Sequence, residues 1–217
     1  MALRKELKTN SIVILAQSFN PSIFNRYWLV SKGFIDDESI LPNSVFAPNV
    51  TQVASKEFNL LVLPEQLQFN SNTDNKEFES NVEKTLKPII EKLKEIPYRA
   101  SGINFHWFVD DDETEIGELS EKLFYYNSSS LHEAFRSDNS RYGVYMSKDF
   151  ENARMKLDIK PITTTENSTG RKNEFIQFSF NFHRDLNQES ASDELINFLN
   201  NWPKFKAEAE QIISLIS

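Results

Sequence analysis

The chain contains three histidines, His106, His132 and His183, and one dense run of acids, Asp110 to Glu121 (DDDETEIGELSE), which holds seven carboxylates and no base. His106 and His183 each fall on the polar side of an alternating stretch, with Asp110 and Asp185 close by in sequence. Imidazole nitrogens and carboxylate oxygens are the ligands of hydrolytic divalent-metal centres. A site joining His106 and His183 to Asp110–Asp112 would therefore make a metal-dependent hydrolase or nuclease, the catalytic alternative that this sequence carries. The acidic run lacks the spacing of a calcium loop, because the sixth position, where a glycine makes the sharp turn, is Glu115. It also reads as a solvated loop whose last acids enter the first turn of a helix, where the helix dipole favours negative charge. His132-Glu133 has no second histidine at zinc-protease spacing.

Composition removes most other chemistry. There is no cysteine, so disulfides, thiolate metal sites, thiol nucleophiles and iron–sulfur clusters are all excluded. Only 5 of 217 residues are glycine, and no phosphate-cradling loop, dinucleotide fingerprint or G-x-S-x-G elbow occurs. No cofactor is expected, and a non-catalytic protein is the preferred reading. The 24 basic and 32 acidic residues give a net charge of −8, which opposes a broad phosphate-binding surface. The remaining basic footprint is small: Arg154, Lys156 and Lys160 on one side of a strand, and Arg171–Lys172 in the loop that follows. The candidate binding residues are thus His106, His183, Asn181, Arg154, Lys156 and Lys160, all on polar sides of strands. Nucleic acid is not the expected partner.

The elements that must position these residues are legible from periodicity. After Gly102, Ile103, Phe105, Trp107 and Val109 alternate with Asn104, His106 and Phe108, the period of a strand with one buried face. Ala153, Met155, Leu157 and Ile159 alternate with Arg154, Lys156, Asp158 and Lys160. Ile176, Phe178, Phe180 and Phe182 alternate with Gln177, Ser179, Asn181 and His183, so one side is a Phe ladder and the other wholly polar. Further strands are expected at Ser11–Ser18, inside the sheet, at Glu57–Leu63, at Leu67–Phe69 and at Tyr142–Lys148. Val45–Val53, interrupted by Pro48, is expected as a single edge strand or a bulged one. The polar stretch Thr163–Asn173 is expected to be an irregular loop that is disordered or touches a partner.

Helices are read from three- and four-residue spacing. One, rich in aromatics, is expected from Asn20-Pro21 to Gly33, with Tyr27 and Trp28 packed in the core or, alternatively, forming a partner-binding aromatic patch. A second is expected from Ser80 to Ile96, opened by a Ser80/Glu83 capping box and kinked at Pro88. A third follows the acids. A last, long helix should run from Ser190 or Ser192 to the C-terminus, carrying Leu195, Phe198, Leu199, Trp202, Phe205, Ala209, Ile212, Ile213 and Ile216 on one stripe and kinked at Pro203, the stripe packing on the Phe ladder or, alternatively, being shared between subunits. The fold class expected is α+β, an antiparallel sheet with helices packed on one face, in a single domain over 1–217. A subdivision into an N-terminal strand and helix segment, 1–55, and a main sheet with helices, 56–217, is the alternative organisation.

The order of a hairpin with LLVLPEQLQF, a helix ending in an L-K-x-I stretch, the strand GINFHWFV, a meander and a terminal helix resembles a sporadically distributed bacterial family without an assigned activity. It also resembles, faintly, the sheet-and-helix arrangement of export chaperones. Where the family's strand carries an Arg-Tyr-Ile-Asn run, this chain reads Ser101-Gly102-Ile103-Asn104, and no functional residue is carried over. The function expected rests on the residues: aromatic content beyond what catalysis requires, a long apolar-striped terminal helix and polar strand faces without a reactive cluster point to a soluble binding or assembly module, an accessory or chaperone-like subunit of a bacterial protein complex whose partner is another protein or a second copy of itself. No apolar run approaches about 18 residues, and the N-terminus lacks a signal-type apolar core. A soluble, cytoplasmic protein without membrane contact is therefore expected.

Overall fold

The computed structural model describes residues 3–72, 75–111, 113–127, 129–166 and 169–216, with the backbone alone at 75 and 76. Runs of β-branched and aromatic residues with a period of two pack well on a pleated surface, and here they form one nine-stranded antiparallel sheet. Its strands are β1 (Arg4–Ala16), β2 (Val45–Ala47), β3 (Val50–Ala54), β4 (Phe58–Leu63), β5 (Gln66–Ser71), β6 (Tyr98–Asp110), β7 (Val144–Phe150), β8 (Ala153–Thr165) and β9 (Lys172–Asp185). The spatial order is β2-β3-β4-β5-β1-β6-β9-β8-β7. Two meanders, β2 to β5 and β7 to β9, are thus joined through the central pair β1 and β6.

Two strand expectations need correction. Val45–Val53 is two strands, because the turn at Pro48-Asn49 folds β2 back on β3; proline cannot donate to a ladder and closes the hairpin instead. The irregular loop expected at Thr163–Asn173 is mostly ladder, since β8 and β9 stay paired out to Thr165 opposite Lys172. The β-branched Thr163–Thr165 prolong the strand although they are polar. The tip closes with the Gly170 N–H donating to the Glu166 carbonyl at 2.8 Å, Gly170 having φ +70°. Asn167 and Ser168 lie outside the described residues.

The helices differ from expectation where proline intervenes. The helix expected from Ser80 begins earlier, as α2 (Asn75–Asn81), passes through a π-helical turn at Val82–Leu86, and continues as α3 (Lys87–Lys92). Ser80 and Glu83 lie within it and do not cap its start. Pro88 has no N–H for the carbonyl four residues back, and the chain widens so that the Lys87 N–H reaches the Val82 carbonyl. The single long C-terminal helix is in fact two, α6 (Ala191–Asn200) and α7 (Trp202–Ser214). Pro203 stands in the first turn of α7, where a missing N–H is tolerated, and the break falls at Asn201.

Near the N-terminus a 3-10 turn, Pro21–Phe24, precedes α1 (Arg26–Ser31), whose Trp28 N–H donates to the Asn25 side chain at 2.9 Å. Gly33, at φ +71°, ends α1 with its N–H on the Val30 carbonyl, and the Phe34 N–H follows on Leu29, a paired closure that needs a left-handed residue. Trp28 packs on Phe24 and Phe34. Tyr27 does not join the core: it is 82% exposed, because the helix is short and its far side has nothing above it. After the acidic run come α4 (Ile116–Phe124) and α5 (Ser130–Ala134).

Apart from α5, whose His132 packs on Tyr125 and Tyr142, these pieces lie over the same side of the sheet. Trp202 of α7 touches Phe105 and Phe78 at ring separations of 5.7 Å, Phe205 stacks on Phe182 at 4.6 Å, and Phe124 of α4 meets Phe178. At the β2–β5 end the Thr51 hydroxyl donates to the Pro21 carbonyl at 2.9 Å. Burying one such aromatic or aliphatic side chain contributes roughly 1.5–3 kcal/mol, so this covered face carries the stability. Lys87, buried between α3 and α6, donates to Glu83 and to Asn200 and so ties the two helices together. Among the described residues, no helix is long and apolar enough to cross a membrane.

Candidate functional site: the open face of the sheet

If Ile103, Phe105 and Trp107 face the helices, their neighbours Asn104, His106 and Phe108 must face away, and the register carries that face across the strands. One row reads Ser147, Lys156, Asn181, Asn104, Ser11, Asn70 and Asn59, each opposite the next on β7, β8, β9, β6, β1, β5 and β4. A second row holds Arg154, His183, Gly102 and Val13; a third holds Asp158, Ser179, His106 and Thr9. All six binding candidates, His106, His183, Asn181, Arg154, Lys156 and Lys160, therefore lie on this one surface.

The side chains in the centre of the face hold one another. The Asn181 amide donates to Asn104 Oδ1 at 2.7 Å, and Asn104 in turn donates to the Ser11 hydroxyl at 3.2 Å. Gln68 donates to Asn70 at 3.1 Å. Gly102 makes this arrangement possible, since a Cβ there would sit 3.0 Å from the Asn181 amide nitrogen. His106 Nδ1 lies 3.1 Å from the Gln177 amide. Burial, and secondarily the Lys160 ammonium, hold the His106 pKa below its ordinary value, so the ring is neutral near pH 7 and accepts that hydrogen bond.

The cations on this face are largely paired. Arg154 binds Asp149 at 3.0 Å and the Ser147 hydroxyl at 2.6 Å; Lys160 binds Asp158 at 2.8 Å; Arg4 binds Asp110 at 2.9 Å. Arg171 and Lys172 stand at the far end of β9, beside a cleft of about 330 Å³ that Asp110, Asp111, Glu115 and Glu174 also line. Of the basic footprint read from the sequence, Arg154, Lys156 and Lys160 share the open face, whereas Arg171 and Lys172 stand beside the acid-lined cleft.

The metal site drawn from the sequence does not assemble. His183 stands opposite Gly102 and His106 opposite Ser179, four residues apart along the ladder, or about 13 Å. Metal ligands must converge within about 2 Å of one ion. Asp110 lies four residues beyond His106 in the other direction and is held by Arg4. Asp111 accepts from the Glu113 N–H and the Thr114 hydroxyl, and Asp112 lies outside the described residues. His183 Nε2 is 3.2 Å from Asp185. His132 is elsewhere, stacked on Tyr125 with Nδ1 accepting from the Tyr126 N–H at 2.8 Å. Among the described residues, no group of three or more His, Asp or Glu side chains is placed to hold a metal ion.

Sequence reasoning placed the right side of the three alternating strands but missed Ser11, Asn70 and Gly102 as members of the surface and did not single out Asn104 and Gln177 as binding candidates. Asn104 and Gln177 were already visible on polar alternations. Ser11 and Asn70 become part of the row only through the pairing of β1 with β5 and β6, which local sequence does not encode. Compared with family models, with curated proteins and with solved structures, the chain matches none.

Proposed function

We propose that this chain is a non-catalytic binding or assembly module, an accessory or chaperone-like subunit of a bacterial protein complex, and that its partner protein sits on the open face of the sheet. The observation that supports this reading is the amide row from Lys156 through Asn181, Asn104 and Ser11 to Asn70. Its side chains are half-buried, Asn181, Asn104 and Ser11 are ordered by mutual hydrogen bonds and Asn70 by Gln68, and the helices α4, α6 and α7 pack on the opposite face. Ordered amides on a rigid sheet lose little conformational entropy on binding, which favours a preformed interface. The balance of paired charges favours a protein that presents amides, hydroxyls and small apolar groups over a polyanion. The hairpin, helix and GINFHWFV pattern of the sequence supports the bacterial setting, and a cytoplasmic location belongs to the same proposal.

The test is affinity capture from a bacterial lysate with the tagged chain and with Asn181→Arg, which places a bulky cation in the middle of the row. A defined partner that binds the parent chain, is reconstituted from purified proteins, and is lost with Asn181→Arg supports the reading. A partner held equally by both, or recovery of nucleic acid alone with affinity falling steeply in salt, overturns it.

A further inference from the structure

The two edges of the sheet are built differently. At one end, β2 is three residues long and is closed by Pro48, two features that protect an edge from pairing with another chain. At the other end, β7 is seven residues long, contains no proline, and pairs only with β8. Among the described residues, no strand lies beside its outer backbone groups. Tyr145 and Met146 on it are 63% and 48% exposed.

We infer that β7 is a self-association edge, where a second copy of this chain pairs antiparallel to continue the sheet across a two-fold axis at Ser147. The register follows from the sequence of the strand. A two-fold axis perpendicular to the sheet keeps each face on its own side and must pass through a residue position. Only the axis at Ser147 pairs all of Val144–Phe150. It sets Val144 opposite Phe150, Tyr145 opposite Asp149 and Met146 opposite Lys148 of the second copy, so no charge meets its like. Moving the axis to Lys148 or Asp149 would set that charge opposite itself. Tyr145, Ser147 and Asp149 belong to the open face, being opposite Asp158, Lys156 and Arg154 on β8, so the dimer extends that face without covering it. Ser147 ends the same row as Asn181 and Asn104, but the association uses the backbone of β7, and the inference stands whether or not those amides bind a partner.

A strand pair of this length buries less than the roughly 1,200–2,000 Å² of a stable interface, so the dimer is concentration-dependent. Light scattering on the full chain across a concentration series is expected to show mass rising above 25.2 kDa toward twice that value. Because the chain has no cysteine, Ser147→Cys supplies a single thiol at the axis, where opposed Cα atoms fall within the ~4.4–6.8 Å that a disulfide spans. Mild oxidation should give a covalent dimer. Tyr145→Cys should not, because each Tyr145 faces Asp149 and lies about 13 Å from its mate. Ser147→Asp sets two carboxylates opposite each other and is expected to weaken association at least tenfold, with circular dichroism and the melting profile of the monomer unchanged. A parent chain monomeric to about 1 mM, equal cross-linking of the two cysteine variants, or a dimer indifferent to Ser147→Asp would each overturn the inference; so would a monomer that accepts only a strand from another protein at this edge.

Discussion

Along β9, Ile176, Phe178, Phe180 and Phe182 share one backbone with Gln177, Ser179, Asn181 and His183, yet the two sets have opposite fates. The first set is fully buried under α4 and α7, and the second is half-buried with no helix above it. Propensity and pairing are common to both, so the difference comes from what lies across from each face. On the covered side, stabilisation scales with apolar area removed from water. On the open side it comes from side-chain hydrogen bonds that each contribute about 0.5–1.5 kcal/mol net. One sheet thus separates the work of holding the fold from the work of presenting a surface.

The strongest test of that contrast is a pair of truncations one residue apart. Phe180→Ala should destabilise the protein by about 3–5 kcal/mol in chemical denaturation, through lost transfer energy and the cavity left under the helices. Ser179→Ala should stay within about 0.5 kcal/mol of the parent. Similar losses from both would show that the open face is a second core, and the comparison would break.

A smaller effect is expected within the amide row. Asn181→Ala removes the donor to Asn104 and should cost about 0.5–1.5 kcal/mol. Adding Asn104→Ala should cost less than the sum of the two single changes, since the shared bond is already lost. Strict additivity would mean that the row is a set of independent surface groups.

The smallest effect is the pH response of His106. Its folded pKa is lowered below 6.5 by burial and by Lys160, so the unfolded chain binds the proton more readily. The contribution to stability is present above the unfolded value and is lost as pH falls from about 6.5 toward the folded value. Melting temperatures between pH 8 and pH 5 should fall more for the parent than for His106→Gln. Parallel profiles would show that the ring is freely solvated.

How much of this was legible follows the reach of each signal. Period-two alternation at Ile103–Val109, Ala153–Ile159 and Ile176–His183 identified both faces, because burial alone imposes that pattern. The ends of the elements were less legible. Thr163–Thr165 looked like loop by polarity but act as strand by β-branching, and Ser80 looked like a cap although α2 starts upstream of it. Pro88 and Pro203 were read correctly as disruptions, but their outcomes, a π turn and a clean break, depend on the packing around them. The His106–His183 site failed for a different reason: side of strand is a local property, whereas position along the ladder is set by pairing between strands distant in sequence.

The placement of β1 bears on how the chain reaches its fold. Ile12 is paired with Phe69 on one side and Ile103 on the other, so the earliest strand in the sequence waits for partners made much later. The meanders β2 to β5 and β7 to β9 close short loops and can form early, whereas joining them requires the long-range closures that slow folding. Until β6 emerges from the ribosome, the apolar run Ile12–Leu15 has no complete lattice to enter. Synthesis is therefore the period in which this sequence is most exposed to aggregation and most in need of a holding chaperone.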